Sequence, residues 1–292
     1  MSREALWDFN AHGQKQIPDE PRRSVRMMHN LSDSFHTHLE ARVADCEELR
    51  IDAHKVRFKV YCLERGYEDQ TKFPDRMEMD KFDNESIHAV VRHKSSKHPV
   101  GVVRLVLPNR KNPNRKFPIE SHFGHLFEAH TLNRFHFTRH NIAEVSRFAV
   151  SKQSLKDVHS RLVTENLRSQ PNRLSNDDPK QLLPHISLGL IALLFAISEK
   201  HGVQYWYAAM EPSLSRLLTR LGIKFTPIGP IMDYHGRRQP MIAQVSELLR
   251  NIQRSRKDFF KLIEDIGGVP AFATQMKRNP SSNDQLKESR FY

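Results

Sequence analysis

The stretch from Asn141 to Val150, Asn-Ile-Ala-Glu-Val-Ser-Arg-Phe-Ala-Val, limits what this chain can fold into more than any other. Its β-branched and aromatic content is that of a strand inside a sheet. Yet Glu144 and Arg147 interrupt it, where an interior strand should carry no charge. Burying a carboxylate is costly unless it is paired, and groups with shifted pKa gather where chemistry is done. In a regular strand the two side chains would point to opposite faces, because side chains alternate. One β-bulge between them would bring both to the same face, and bulges favour active sites. Two readings follow: a structural ion pair on a half-exposed strand, or the centre of an active site.

Composition narrows the partners. The 292 residues are enough to bury a sizeable core. An excess of 46 Lys and Arg over 34 Asp and Glu leaves a formal charge of +12, which suits an acidic partner or simple solubility. The basic residues are spread out, with no nucleic-acid motif and no zinc-ligand spacing, so nucleic acid is not the expected partner. Cys46 and Cys62 fall in one predicted helix about four turns apart, too far to bridge, which fits a reducing compartment. The chain starts polar, without an apolar signal core. Its longest apolar run, Leu188–Ile197, is about half of the ~20 residues a membrane span needs. A cytoplasmic protein without a transmembrane segment is the expectation.

Residues 1–30 read as a flexible arm with a short helix around Leu6–Phe9, and Ser34–Val43 as a first strand. Asp45 with Glu48 has the pattern of a capping box. The helix it opens has one apolar face, Leu49, Ala53, Val56, Val60 and Leu63, and stops at Gly66. Beside that face runs a second stripe, Arg57, Tyr61 and Glu64, which taken alone reads as solvated. An acidic loop, Arg76–Asp83, leads into a hairpin of Ile87–Arg92 and Val100–Leu107. Arg104 interrupts the second of these strands and needs an anion, for which Asp80 and Asp83 are nearest in sequence. Residues 108–140 form a long irregular connection, as functional segments often do, and its histidines lack a regular metal-ligand spacing. Ser151–Pro184 reads as a polar, irregular insert. Then follow a helix at His185–His201, a strand at Val203–Met210 and a helix opened by Pro212 and closed by Gly222. A strand pair at Ile223–Ile231 and Pro240–Leu248 comes next. Residues 251–292 hold a last helix around Asp258–Ile266 and a disordered tail from Lys277. The order predicts an α/β fold in which a central mixed, twisted sheet is flanked by helices, with 31–250 as one domain.

Four short motifs follow one another along this order: Arg57 with Tyr61 and Tyr67, Asp80-Lys-Phe-Asp83, Gly101-Val-Val-Arg104-Leu, and Glu144-Val-Ser-Arg147-Phe148. Together they resemble the GNAT-type N-acyltransferases. More narrowly, they are similar to the acyl-homoserine-lactone synthases and the long-chain N-acyl amino acid synthases, including acyltransferases associated with exosortase (PEP-CTERM) systems. The resemblance covers roughly residues 35–250. It departs from the lactone synthases at Tyr67, where they have the tryptophan of their adenosylmethionine site. It departs from acetyl-CoA enzymes after Val150, where no Gly-rich loop offers a backbone nest for a pyrophosphate. Glu211-Pro-Ser-Leu and Tyr234-His-Gly-Arg-Arg-Gln-Pro look most like the exosortase-associated branch.

The resemblance implies a GNAT-like acyltransferase fold and transfer of a long-chain acyl group from an acyl carrier protein to the amino group of an amino acid. The acyl donor would ride on the carrier's phosphopantetheine, with acyl-CoA as the other donor, and no cofactor or metal would be permanently bound. Glu144 is the candidate base, its pKa balanced between burial and Arg147. Backbone N–H groups near Phe148, Ala149 and Val150 are candidates for holding the oxyanion. Arg57, Asp80, Asp83 and Arg104 would form a charged cluster that pins the loop, binds the acceptor's carboxylate, or both. Leu190, Leu194, Phe195, Trp206 and Tyr207 are available for an acyl tunnel or for the core. Lys152, Lys156, Arg161 and Arg216 would steer an acidic carrier protein. Against this stand a lactone synthase or acetyl-CoA-dependent enzyme, and a binding protein without catalysis.

Overall fold

A mixed, eight-stranded sheet runs through the molecule. The computed structural model describes residues 31–169 and 179–267, with side chains outside 161–181. The arm at 1–30, with the short helix around Leu6–Phe9, and the tail from Lys277 lie outside the described residues. Helix α1, Leu31–His38, passes directly into β1, Leu39–Val43. Helix α2, Glu47–Arg57, continues without a break as a π-helix over Phe58–Glu64. β2, Ser86–His93, and β3, Pro99–Val106, form the hairpin. The connection to β4, Ile142–Val150, holds the short helices α3, Pro118–Phe123, and α4, Ala129–Leu132. Then come α5, Lys152–Ser169, α6, Pro179–His201, β5, Tyr205–Met210, and α7, Pro212–Arg220. The short strands β6, Thr226–Pro227, and β7, Met232–Asp233, precede β8, Arg237–Gln244, and the helices α8, Val245–Ser255, and α9, Lys257–Gly267.

β1 to β4 form an antiparallel meander, β5 lies parallel to β4, and β8 lies antiparallel to β5. β2 to β4 sit in the middle because their apolar runs can be buried on both faces. On one face, Ile186, Leu190 and Phe195 of α6 and Phe259 and Leu262 of α9 cover Val91, Val103 and Leu105. Gly101 permits α6 to lie directly on the sheet, since a Cβ there would stand 2.6 Å from Ile186. The other face carries two separate apolar clusters. Leu49, Ala53 and Val56 of α2 pack on Val90, Val102 and Ala149, while Phe117, Ile119 and Phe123 pack on Tyr205, Tyr207 and Ile242. The charged residues of the strands stand between those two clusters.

Several local expectations are corrected. Ser34–Val43 is half helix and half strand, because Phe35 and Leu39, four apart, both face the core. No side chain caps α2, whose first flanking residue is Cys46; Glu48 instead accepts from Arg92 Nη2 at 2.8 Å. Leu63 is 56% exposed because the π-helix turns it off the apolar face, and Arg57 is fully buried rather than solvated. Ser151–Pro184 contains all of α5 and the first turn of α6, and buried Leu155 and Val158 are the core pattern its polar composition hides. In place of a strand pair at 223–248 there are two short strands and β8, and Val245 already opens α8. α9, placed outside the domain by sequence, joins the same core through Phe259, Phe260, Leu262 and Ile263. Leu182–His201 is long and apolar enough to cross a membrane by composition, but it is 67% buried and serves as the helix that covers the sheet.

Candidate active site

The site forms where two neighbouring strands part. β4 and β5 are paired only at Ile142↔Tyr205, Ala143↔Trp206 and Glu144↔Tyr207. Beyond that point β4 follows β3 and β5 follows β8, leaving a gap between them. Alternate N–H and C=O groups of β4 beyond Glu144 point into this gap, since only the β3 side offers a strand partner. Along that side, Arg104 faces Ser146 but Val102 faces Ala149, so β4 carries one extra residue. Arg147 takes up the bulge with φ of 50°, a left-handed conformation that costs a non-glycine residue about 1 kcal/mol. The bulge expected from sequence is therefore present. It turns Arg147 to the face that carries Glu144 and Arg104.

Arg147 does not pair with Glu144. Its Nη2 lies 3.0 Å from Glu78 Oε1 and 3.1 Å from Asp80 Oδ2, and its guanidinium carbon lies 5.1 Å from the centre of the Tyr61 ring. Arg57 Nε donates to Glu78 Oε2 at 2.6 Å, and its Nη1 donates to Asp83 Oδ1 at 2.6 Å. Arg104 Nη1 reaches Asp80 Oδ1 at 2.6 Å and Asp83 Oδ1 at 2.7 Å, and Arg104 Nε donates to Ser146 Oγ at 3.0 Å. Arginines and carboxylates thus alternate in a closed ring, Arg57, Glu78, Arg147, Asp80, Arg104 and Asp83, each shared between two neighbours of opposite sign. Burial would raise the pKa of Glu78, but Arg57 and Arg147 outweigh it and hold the group at about 2. Asp83 is likewise held well below the carboxylate range: burial opposes, and His88, Arg57 and Arg104 prevail. Arg57 and Arg104 each keep Nη2 buried without a protein partner.

His54, Asp83 and His88 place one donor atom each within 4.8 Å of one another, which is a metal-like grouping. The Arg57 guanidinium is already there, with Nη1 2.9 Å from His88 Nε2 as well as on Asp83. Burial pushes His88 down to about 4, so it meets Arg57 as a neutral ring. An organic cation fills the place a metal would take.

Glu144 stands outside the ring. It is buried, and its Oε2 accepts from the Ile119 N–H at 2.7 Å, a free donor in the first turn of α3. Burial raises its pKa to about 8, against the Ile119 N–H and Arg104, which lower it. Sequence reading expected Arg147 to balance the burial. With Arg147 engaged by Glu78 and Asp80, burial prevails.

A cleft of about 1320 Å³, counting its open mouth, connects these groups. Tyr67, Asp80, Arg104, Glu144, Arg147 and Arg238 are among its polar walls, and Leu194, Trp206, Met210, Leu214, Ile223 and Phe225 among its apolar ones. Arg104 and Glu144 belong to the α2 side of the sheet, while the apolar set belongs to the core under α6. The cleft therefore passes through the sheet at the gap. Tyr61 and Phe148 also line it. Arg57 and Asp83 stand behind it in the ring, and Ala149 and Val150 lie off it, Ala149 in the α2 cluster and Val150 paired with Gly101. Of the tunnel candidates, Leu194 and Trp206 line the cleft, whereas Leu190 and Phe195 are core and Tyr207 packs with Phe117 and Phe127.

Sequence reasoning missed Glu78, which ties two of the three ring arginines, and Ile119, whose N–H holds Glu144. It also missed the wall opposite the ring. There Tyr234 OH lies 2.9 Å from His122 Nε2, and Arg238 lies over the Tyr67 ring while its Nη1 pairs with Glu211 at 2.8 Å.

Residues 56–162 match the family model of the acetyltransferase (GNAT) domain. No curated protein sequence matches the chain. Among solved structures, TofI in a ternary complex with an inhibitor and MTA aligns at 15% identity and a TM-score of 0.50, over 74% of this chain and 96% of that one. BjaI, a CoA-dependent acyl-homoserine lactone synthase with SAM and isopentyl-CoA, aligns at 17% identity and a TM-score of 0.50, over 80% and 90%. FeeM, an N-acyl amino acid synthase from uncultured soil microbes, aligns at 13% identity and a TM-score of 0.48, over 75% and 97%. At such identities the likeness is one of fold. Residues 56–162 thus carry a GNAT acetyltransferase domain, and the chain shares the fold of TofI and BjaI.

Proposed function

We propose that the protein moves a long-chain fatty acyl group from the phosphopantetheine thioester of an acyl carrier protein to the amino group of an amino acid. The observation that carries this reading is the chemistry of the cleft, whose charged mouth continues through the sheet into an apolar arm lined by Leu194, Trp206, Met210, Leu214 and Phe225. An acetyl group has no use for such an arm, but a long chain does. At the mouth, Glu144 takes a proton from the acceptor's ammonium group. The freed amine attacks the thioester carbonyl, and N–H groups of β4 that face the gap hold the oxyanion. Collapse breaks the C–S bond, the proton on Glu144 passes to the leaving thiolate, and the nitrogen sheds its remaining extra proton to solvent, which leaves the neutral amide. Arg104, whose buried Nη2 has no protein partner, and Arg238 both line the cleft, and in this reading they hold the acceptor's carboxylate. No permanently bound cofactor is needed.

The carrier protein as donor is supported by the missing glycine loop after Val150 and by exposed Lys152, Lys156 and Arg216; the side chain of Arg161 lies outside the described residues. The free thiols Cys46 and Cys62 suit a cytoplasmic enzyme. Extraction of lipids from cells expressing the protein, followed by mass spectrometry, tests the reading. N-acyl amino acids should accumulate and should vanish with Glu144→Gln. Acyl lactones in their place, or no new lipid, would refute it.

A further inference from the structure

The N–H that holds Glu144 belongs to α3, a helix of only 6 residues set in the long connection before β4. So short a helix does not keep its place by itself. Its first turn is closed by Glu120, whose Oε2 accepts from the Phe117 N–H at 2.8 Å. Glu120 Oε1 accepts in turn from Arg139 Nη1 at 2.5 Å. Arg139 lies just ahead of β4, and the rest of its guanidinium is also engaged. Nε donates to the Pro113 carbonyl at 3.0 Å, Nη2 donates to the Arg115 carbonyl, and the guanidinium carbon lies 4.4 Å from the centre of the Phe117 ring. Arg115 Nη2 in turn donates at 2.9 Å to the carbonyl of Lys81, inside the loop that carries Asp80 and Asp83. One arginine therefore ties α3 to the stretch before it and, through Arg115, to the loop of the charged ring.

The pairing has an electrostatic side as well. Glu120 directly follows Ile119, and its carboxylate opposes ionisation of Glu144, whereas the Ile119 N–H, Arg104 and Arg147 favour it. Tyr207 on β5, Tyr234 on the far wall and His122 on α3 are neutral between pH 7 and 9, so they add no charge there. We infer that Arg139 is a positioning residue for Glu144: it fixes α3 so that the Ile119 N–H stays on the carboxyl group, and it neutralises the Glu120 carboxylate beside it. That Glu144 acts as a base rests on the acyl-transfer reading above.

Variants of opposite charge test this through the proton on Glu144. Carbon-13 NMR of the full chain labelled at glutamate follows that carboxyl group through a pH titration, with Glu144→Gln identifying its signal. Arg139→Gln should raise the midpoint by about 0.5 to 1 pH unit, and Glu120→Gln should lower it by about as much. The steps are modest because the Arg139–Glu120 pair keeps partial access to solvent. Arg139→Lys, which restores the charge, should return the midpoint to within about 0.3 pH unit of the wild type. The rise of kcat/KM with pH should move by the same steps. A residue that only braced the fold would move the Gln variants in the same direction or not at all, and either result overturns the inference. So does an Arg139→Lys protein that behaves like Arg139→Gln. If Arg139→Gln does not fold, the sign of the Glu120→Gln shift and the Arg139→Lys midpoint decide. The NMR titration needs no substrate. Shifts of the expected sign in a protein whose kcat/KM does not follow them would sink Glu144 as the base and leave its link to Arg139 standing.

Discussion

Glu144 is a carboxylic acid rather than a carboxylate at neutral pH, because burial holds its pKa near 8. As a base it must first lose that proton, so kcat/KM should rise with pH and level off above about 8. Glu144→Gln should abolish that limb and lower kcat by roughly 10²- to 10⁴-fold, read from a pH–rate profile. The same group acts on stability with a definite sign. Its folded pKa lies above the ordinary glutamate value of 4.5, so between pH 4.5 and about 8 the unfolded chain gives up the proton first and stability falls as pH rises. Urea denaturation should find Glu144→Gln more stable than the wild type at pH 8, by at most on the order of 3–5 kcal/mol, with the difference closing toward pH 4.5. Glu144, Arg147 and Arg104 are legible in the sequence because a charge inside an apolar strand has to be accounted for. Glu78 is not. It lies between two methionines in a loop already rich in acid, and what draws it inward, Arg57 and Arg147, comes from elements distant in the chain.

The elements that make the site are the irregular ones. A regular β4 would send Arg147 to the other face, and Tyr61 reaches the cleft from the π-helix. Alternation and apolar content foretell β2, β3, β4 and the covering helix α6, since their burial is written into local composition. The bulge can be anticipated from the two charges, but the π-helix leaves no mark that a 3.6-residue period would reveal, and Leu63 shows the error. α5 is hidden for another reason: its mean hydropathy is low. The parting of β4 and β5 depends on long-range pairing and is invisible locally. The apolar arm behind it yields an element-scale prediction. Leu214→Trp on α7, which fills that arm, should shift the products toward acyl chains shorter by about two to four carbons, read by mass spectrometry of the lipid extract.

At the scale of the whole molecule, the formal charge of +12 is a long-range property with a kinetic consequence. Raising the salt from low to several times physiological should increase the apparent KM for a carrier-borne donor by about five- to tenfold, with kcat unchanged. The KM for an acyl-pantetheine, which has no acidic surface, should stay where it is. Composition makes the excess charge legible, but which basic side chains stand exposed follows only from the fold. So does the part played by α9, which seals the core under α6 although its sequence stands apart from the motifs. The ring of alternating arginines and carboxylates has one more consequence, and it concerns additivity. Every member serves two neighbours, so losing any one of them leaves both neighbours with a single partner and the ring with one unbalanced charge. Neutrality survives only if an arginine and a carboxylate depart together. Positions 57, 78, 80, 83, 104 and 147, gathered from a helix, a loop and two strands, are therefore coupled: removing an arginine and a neighbouring carboxylate together should cost less than the two single losses added up.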